Sequence, residues 1–246
     1  MWKIIKKWLA RLFPTPPIKK FMPLDGPNDI DWRFQVKIPD RIVLLNNVAN
    51  MNVKDGDDVY VNKDADRTEM VLQPELDETI PNNQMLKYQW FLKVDPDFYI
   101  DPAINQPWDW LLITQFHHWG KGGPKLGIHL SEDSHGCFLQ MQRRDTPAIG
   151  SPRDWHGHIP ITRGSYHRIT IKANWATDST GYFELKVDGT THVVFANQPT
   201  IYDVGNFGNG RVVTEPHCTL KLGMYRSGKH PNDMKLAYKD ITIREM

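Results

Sequence analysis

The sequence is short of several things, and each shortage excludes a class of protein. Only two of its 246 residues are cysteine, Cys137 and Cys218, so no disulfide framework holds it together; one bridge or two free thiols both remain open. No run of 18 apolar residues occurs, which leaves no candidate for a membrane-spanning helix. An overall excess of one charge is missing too, with 30 Lys and Arg against 29 Asp and Glu. That balance is uneven along the chain. Lys3, Lys6, Lys7, Arg11, Lys19 and Lys20 stand in the first twenty residues with no acid among them, and setting these six aside leaves 24 basic against 29 acidic residues. A basic end on a mildly acidic body argues against a nucleic-acid binder, whose cations belong on the folded domain. No Gly-rich phosphate loop, nucleophile elbow or dinucleotide fingerprint is found.

What is present divides at about residue 22. Trp2, Ile4, Ile5, Trp8, Leu9, Leu12 and Phe13 recur at helical spacing, with Lys3, Lys6, Lys7 and Arg11 on the other face, so residues 1–13 read as a basic amphipathic helix. Lys6 and Lys7 interrupt the apolar stretch that a secretion signal needs. Pro14, Pro16 and Pro17 end the helix and stiffen a spacer. Residues 1–22 are therefore expected to dock to a partner protein or an anionic membrane surface, and residues 23–246 to form the body.

The body reads as strand, turn, strand. Alternation is plain over 87–94, 167–172 and 182–187, and the last run reaches Asp188-Gly189 before a further strand at 191–195. A two-residue Asp-Gly turn between alternating runs is the strongest local hairpin signal. Further strands are expected at 32–38, 67–73, 109–116, 125–131, 136–143, 217–225 and 235–244. With no clean helical period after residue 22 and no internal repeat, the expected fold is all-β, an antiparallel jelly-roll sandwich with a concave face suited to a long, flat ligand. The 9 Trp, 8 Tyr and 10 Phe suit either a large sandwich core or such a ligand.

Three segments place polar groups two apart on an expected strand, hence on one sheet face. They are Arg67-Thr68-Glu69, Gln115-Phe116-His117, and Lys221-Leu222-Gly223-Met224-Tyr225. Polar groups at such positions need hydrogen-bond partners or a wet cleft. Their order and spacing resemble the signatures of jelly-roll polysaccharide lyases of the alginate-lyase and glucuronan-lyase type. Tyr166 to Ile169, Asn174-Trp175 and Val187-Asp188-Gly189 resemble the heparin-lyase-like branch. The resemblance covers roughly 30–246 and departs from the family pattern at Val71-Leu72-Gln73 and at Leu220.

The resemblance implies cleavage of an acidic, uronate-containing glycan by β-elimination. Such a reaction removes the C5 proton beside a carboxylate, so a group that neutralises the carboxylate stabilises the transition state. Gln115 and Arg67 are the candidates for that task. Tyr225 is the implied acid, and acid plus base in syn elimination; His117 is the implied stabiliser or alternative base. Glu69, Lys221, Arg226 and Trp119 are expected to bind substrate. A tyrosine with an ordinary pKa of about 10 needs cations beside it to serve as base, and Lys221, Arg226 and Arg67 supply candidates.

No cofactor is expected. His117-His118 and His156-Gly157-His158 lack carboxylate or Cys at supporting spacing for zinc. Asp55-Gly56-Asp57-Asp58 with Asp64 and Asp66 could form a structural calcium loop, although the spacing is not that of an EF-hand. Trp108, Trp110, Trp119 and Trp155 are candidates for stacking on sugar rings. The alternative to an enzyme is a non-catalytic jelly roll, a carbohydrate-binding or virion-assembly subunit. What separates the two is whether Arg67, Gln115, His117 and Tyr225 converge on one open groove; if any two are buried apart, the enzyme reading fails.

Overall fold

The computed structural model describes residues 18–20, 32–36, 41–45, 48–54, 65–72, 84–100, 111–121, 123–147, 152–207, 212–227 and 232–246. The predicted helix over 1–13 and most of the candidate calcium loop lie outside these. The described residues form two antiparallel sheets and contain no α-helix. One sheet runs β13 (Thr190–Ala196), β12 (Tyr182–Val187), β11 (Tyr166–Asn174), β6 (Met85–Val94), β16 (Met234–Glu245), β4 (Val48–Val53) and β3 (Ile42–Leu45). A short β1 (Ile18–Lys20) also pairs with β16, so the stretch read as spacer adds to this sheet. The other sheet runs β10 (Asp154–Pro160), β9 (Gly136–Arg143), β8 (Leu126–Asp133), β7 (Leu111–Lys121), β15 (Val212–Ser227), β5 (Ala65–Leu72) and β2 (Trp32–Val36), with β14 (Gly205–Asn206) on β15. This is the expected jelly-roll sandwich. No helix of the described residues is long and apolar enough to cross a membrane.

Alternation builds the core between the sheets. From β6 come Leu86, Tyr88, Trp90, Leu92 and Val94, all nearly inaccessible. From the facing sheet come Leu126, Ile128 and Leu130 of β8, Leu139 and Met141 of β9, and Leu220, Leu222 and Met224 of β15. An aromatic group of Tyr88, Phe116, Trp175 and Phe183 joins the two layers, with the Trp175 indole N–H donating to the Tyr88 hydroxyl at 2.6 Å. The hairpin at Asp188-Gly189 is as expected, both residues having positive φ (52° and 89°) as a tight two-residue turn demands.

The ladder is irregular in the middle of the β7–β15 sheet. Leu112 pairs with His129 and Thr114 with Ile128, so β7 carries one residue more than β8 there. Leu222 pairs with Thr114 and Tyr225 with Leu112, so β15 carries one more than β7. Ile113 and Thr114 are consecutive and both buried, and Phe116 joins the core. This bulge reverses the parity of β7. Strict alternation from Leu111 and Ile113 would point Gln115 into the core; after the bulge Gln115 and His117 lie on the outer face.

Candidate active site

The three central strands β5, β15 and β7 carry the sequence-selected residues. On β5, Met70 joins the core, so Arg67 and Glu69 take the opposite face. On β15 the inward Leu220, Leu222 and Met224 leave Lys221, Gly223 and Tyr225 outward. Register brings these together: Tyr225 pairs with Arg67, Gly223 with Glu69, Lys221 with both Val71 and Gln115, and Thr219 with His117. All four residues proposed for chemistry therefore lie on one face of three adjacent strands.

Their side chains form a connected set. The Arg67 guanidinium lies over the Tyr225 ring, 3.8 Å from its centroid, a cation–π stack. Arg67 Nε is 3.3 Å from Glu69 Oε2, and the Gln115 amide N–H donates to Glu69 Oε1. Glu69 thus holds Arg67 on one side and Gln115 on the other, reaching across β15 at the one residue without a side chain. Gly223 is required there. It has φ 144°, and a Cβ at this position would meet the Thr68 carbonyl oxygen at 2.2 Å and Glu69 Cα at 2.6 Å. Arg67, Gln115 and Lys221 are buried, whereas Tyr225 and His117 are partly exposed. The approachable groups are the two that proton transfer would use.

One sequence-based expectation changes. Arg226 does not line this face. It shares the inward parity of Leu222 and Met224, has no exposed surface, and binds Asp66 at 2.9 Å through Nη2 and 3.1 Å through Nε. Asp66 is engaged in that buried pair at the opposite face of β5. Glu69 is 1% exposed, with Oε1 accepting from the Gln115 amide and Oε2 3.3 Å from Arg67 Nε. Trp119 extends β7 by pairing with Glu215; its side chain lies outside the described residues, as do Trp108 and Trp110. His156 and His158 are split by Gly157 (φ 74°) and a register shift. The first packs edge-on to Phe195, and the second stacks on Phe138 and binds Asp133 at 2.9 Å. No group of three or more metal-ligating side chains occurs among the described residues.

The chain matches the family model described as polysaccharide lyase over residues 34–241. The chain belongs to the polysaccharide lyase family. Solved structures agree in fold. The alginate lyase from Pseudomonas aeruginosa gives a TM-score of 0.58 at 12% identity, covering 88% of this chain and 98% of that one. The endo-β-1,4-glucuronan lyase from Trichoderma reesei gives 0.54 at 14%, covering 96% and 92%. A mutant of the alginate lyase Aly36B in complex with an alginate trisaccharide gives 0.57 at 14%, covering 87% and 88%. No curated protein matches the sequence significantly.

Two features of this lyase escaped the sequence reading. Tyr238, from β16 in the opposite sheet, places its hydroxyl 2.6 Å from the Ile113 carbonyl and 3.1 Å from that of Gly223. These are the bulged residues, so one buried phenol serves carbonyls that the interrupted ladder leaves over. Burial holds its pKa well above the ordinary tyrosine value. The second feature is His129 of β8. Burial pushes its pKa down to about 3, against a hydrogen bond with Gln142, so the imidazole is neutral at physiological pH.

Proposed function

We propose that this lyase cleaves a uronate-containing polysaccharide by β-elimination at the outer face of β5, β15 and β7. The observation that carries the reading is the linked set Tyr225–Arg67–Glu69–Gln115, with His117 beside it on the same face. The uronate carboxylate is met by Gln115 and Arg67, which spread the charge that develops as the C5 proton leaves. Glu69 fixes both donors before substrate arrives, so little reorganisation is needed in the transition state. A base takes the C5 proton, the C4–O4 bond breaks, a C4–C5 double bond forms, and the departing O4 receives a proton. Tyr225 delivers that proton. It also acts as base where both events occur on one side of the ring, and His117 is the base where they do not. No oxidant, metal or second substrate enters the balance. Alginate and glucuronan, named for the solved lyases of like fold, are the first polymers to try.

The test is an assay of the parent protein on polyguluronate, polymannuronate and polyglucuronate. A C4–C5 double bond conjugated with the carboxylate absorbs in the ultraviolet, and hydrolysis does not create it. Growth of that absorbance with each new chain end supports the reading. New reducing ends without it would mean hydrolysis and overturn the mechanism.

A further inference from the structure

Away from Tyr225, the same face of the β7–β15 sheet carries polar groups that the elimination leaves unused. Trp155 of β10 pairs with Gln142 of β9, Gln142 with Gly127 of β8, and Gly127 with Gln115 of β7. One row therefore crosses from the sheet edge to the candidate active site. Three strand spacings put Trp155 about 14 Å from Gln115, a few sugar units along an extended chain. The Arg144 amide donates to the Lys125 carbonyl at 2.8 Å, carrying the β8–β9 ladder past Arg143. Arg153 precedes Asp154, the partner of Arg143. Two-residue alternation from Gln142 and Trp155 places Arg144 and Arg153 on their face.

Three observations mark this end of the face as a ligand site. Like charges gather there: Arg144 adds to burial in holding the Arg153 pKa down to about 10, and both guanidiniums act on His129. Gln142 has no exposed surface, and its Oε1 is 3.0 Å from His129 Nε2. Its Nε2 has no acceptor among the described residues, a requirement that an acceptor brought by a ligand would meet. Trp155 is 43% exposed although its ring meets His129 in a T-shaped contact at 4.7 Å. A held but accessible indole is a platform for a sugar ring.

We propose that Arg144, Arg153, Gln142 and Trp155 form a remote subsite that binds the carboxylate of a uronate a few sugars from the scissile bond. The proposal rests on the elimination reading above and extends it. The guanidiniums and the Gln142 amide take the carboxylate, and Trp155 stacks on the ring that bears it. The consequence is a preference for long polyuronates over short oligosaccharides, because only a chain that spans both ends of the row gains from both.

The test is binding, kept apart from turnover by placing every variant on Tyr225→Phe protein. Affinity is measured for polyglucuronate, for alginate, for a uronate disaccharide and for a sulfated glycan. Arg153→Ala and Trp155→Ala are each expected to weaken polyuronate binding about tenfold, with disaccharide affinity unchanged and the salt dependence flattened by the first. Arg153→Lys keeps the charge without the fork and should recover part of the loss. Unaltered polymer affinity in Arg153→Ala protein with a parental melting curve would overturn the subsite. An equal loss for the disaccharide would also overturn it. Dependence on Arg153 for the sulfated glycan alone would overturn the carboxylate assignment. If the parent forms no unsaturated product while polymer affinity still falls in Arg153→Ala protein, the elimination fails and the subsite stands.

Discussion

The two sheets use one local rule differently. In the β6–β16 sheet, β6 and β12 alternate inward and outward without interruption. Their outer face is solvated, with Lys172 and Lys186 at 3.9 and 3.4 Å from Glu184. In the β7–β15 sheet, polar residues are buried on the outer face as well, among them Arg67, Glu69, Gln115, His129 and Gln142, and the register shifts twice around Ile113. The first sheet is a support whose outer residues form partly exposed surface ion pairs. In the second, outer residues answer to one another, which is the expected cost of a preorganised site.

Substitutions should separate the two sheets sharply. Gly223→Ala puts a Cβ into the β5 backbone at a φ that side chains avoid, and is expected to cost about 4 kcal/mol by denaturant unfolding. Gly189→Ala in the support-sheet hairpin, where the nearest atom is the Arg168 side chain at 3.3 Å, should cost about 1 kcal/mol. Similar losses would mean that the close approach at β5 is not rigid. Next comes charge. Asp66→Asn strands Arg226 without its buried partner, and a loss of about 3 kcal/mol is expected. Glu184→Gln on the support sheet should cost below about 1 kcal/mol.

Acid is the third way to tell the sheets apart. The His129 pKa is about 3 when folded, against an ordinary value near 6.5 when unfolded. Between these values the unfolded chain binds a proton that the folded chain refuses. Stability is therefore unaffected above about pH 6.5 and falls as pH drops below it, by about 2–3 kcal/mol at about pH 4.5. His129→Gln should remove this slope; a slope unchanged in that variant would show that another group carries it. Smaller again is Tyr238→Phe. Loss of its hydroxyl leaves the Ile113 and Gly223 carbonyls without that donor, at about 1–2 kcal/mol. Turnover should fall while substrate affinity holds, since the bulge sets the direction of Gln115. A variant that lost stability alone would leave Tyr238 a purely structural tie.

Strands were legible in the sequence where alternation is clean. In the support sheet Tyr182 to Val187 and Lys87 to Val94 alternate and Asp188-Gly189 marks the turn, whereas β3 and β4 of the same sheet were missed. Strand β10 was missed because Asp154 to Pro160 has no apolar alternation; its pairing comes from β9, not from its own composition. The motif residues were legible as pairs two apart. The bulge that turns Gln115 and His117 outward was not, since it depends on register against both neighbours. Arg226 was misplaced although the signal was present. Counting inward from Leu220, Leu222 and Met224 reaches Arg226 next, and the same count on β5 through Met70 and Thr68 reaches Asp66. His129 and Gln142 were equally visible as polar positions among Ile128, Leu130, Leu139 and Met141.

The most direct test of the central claim is the turnover of Tyr225→Phe protein on the uronate polymer that the parent cleaves best. Tyr225 stacks on Arg67 through its ring, which phenylalanine keeps, so the substitution removes the proposed proton donor with little change in packing. Turnover is expected to fall roughly 10²–10⁴-fold with polymer affinity nearly unchanged. A Tyr225→Phe protein that forms unsaturated product at the parental rate would contradict the account.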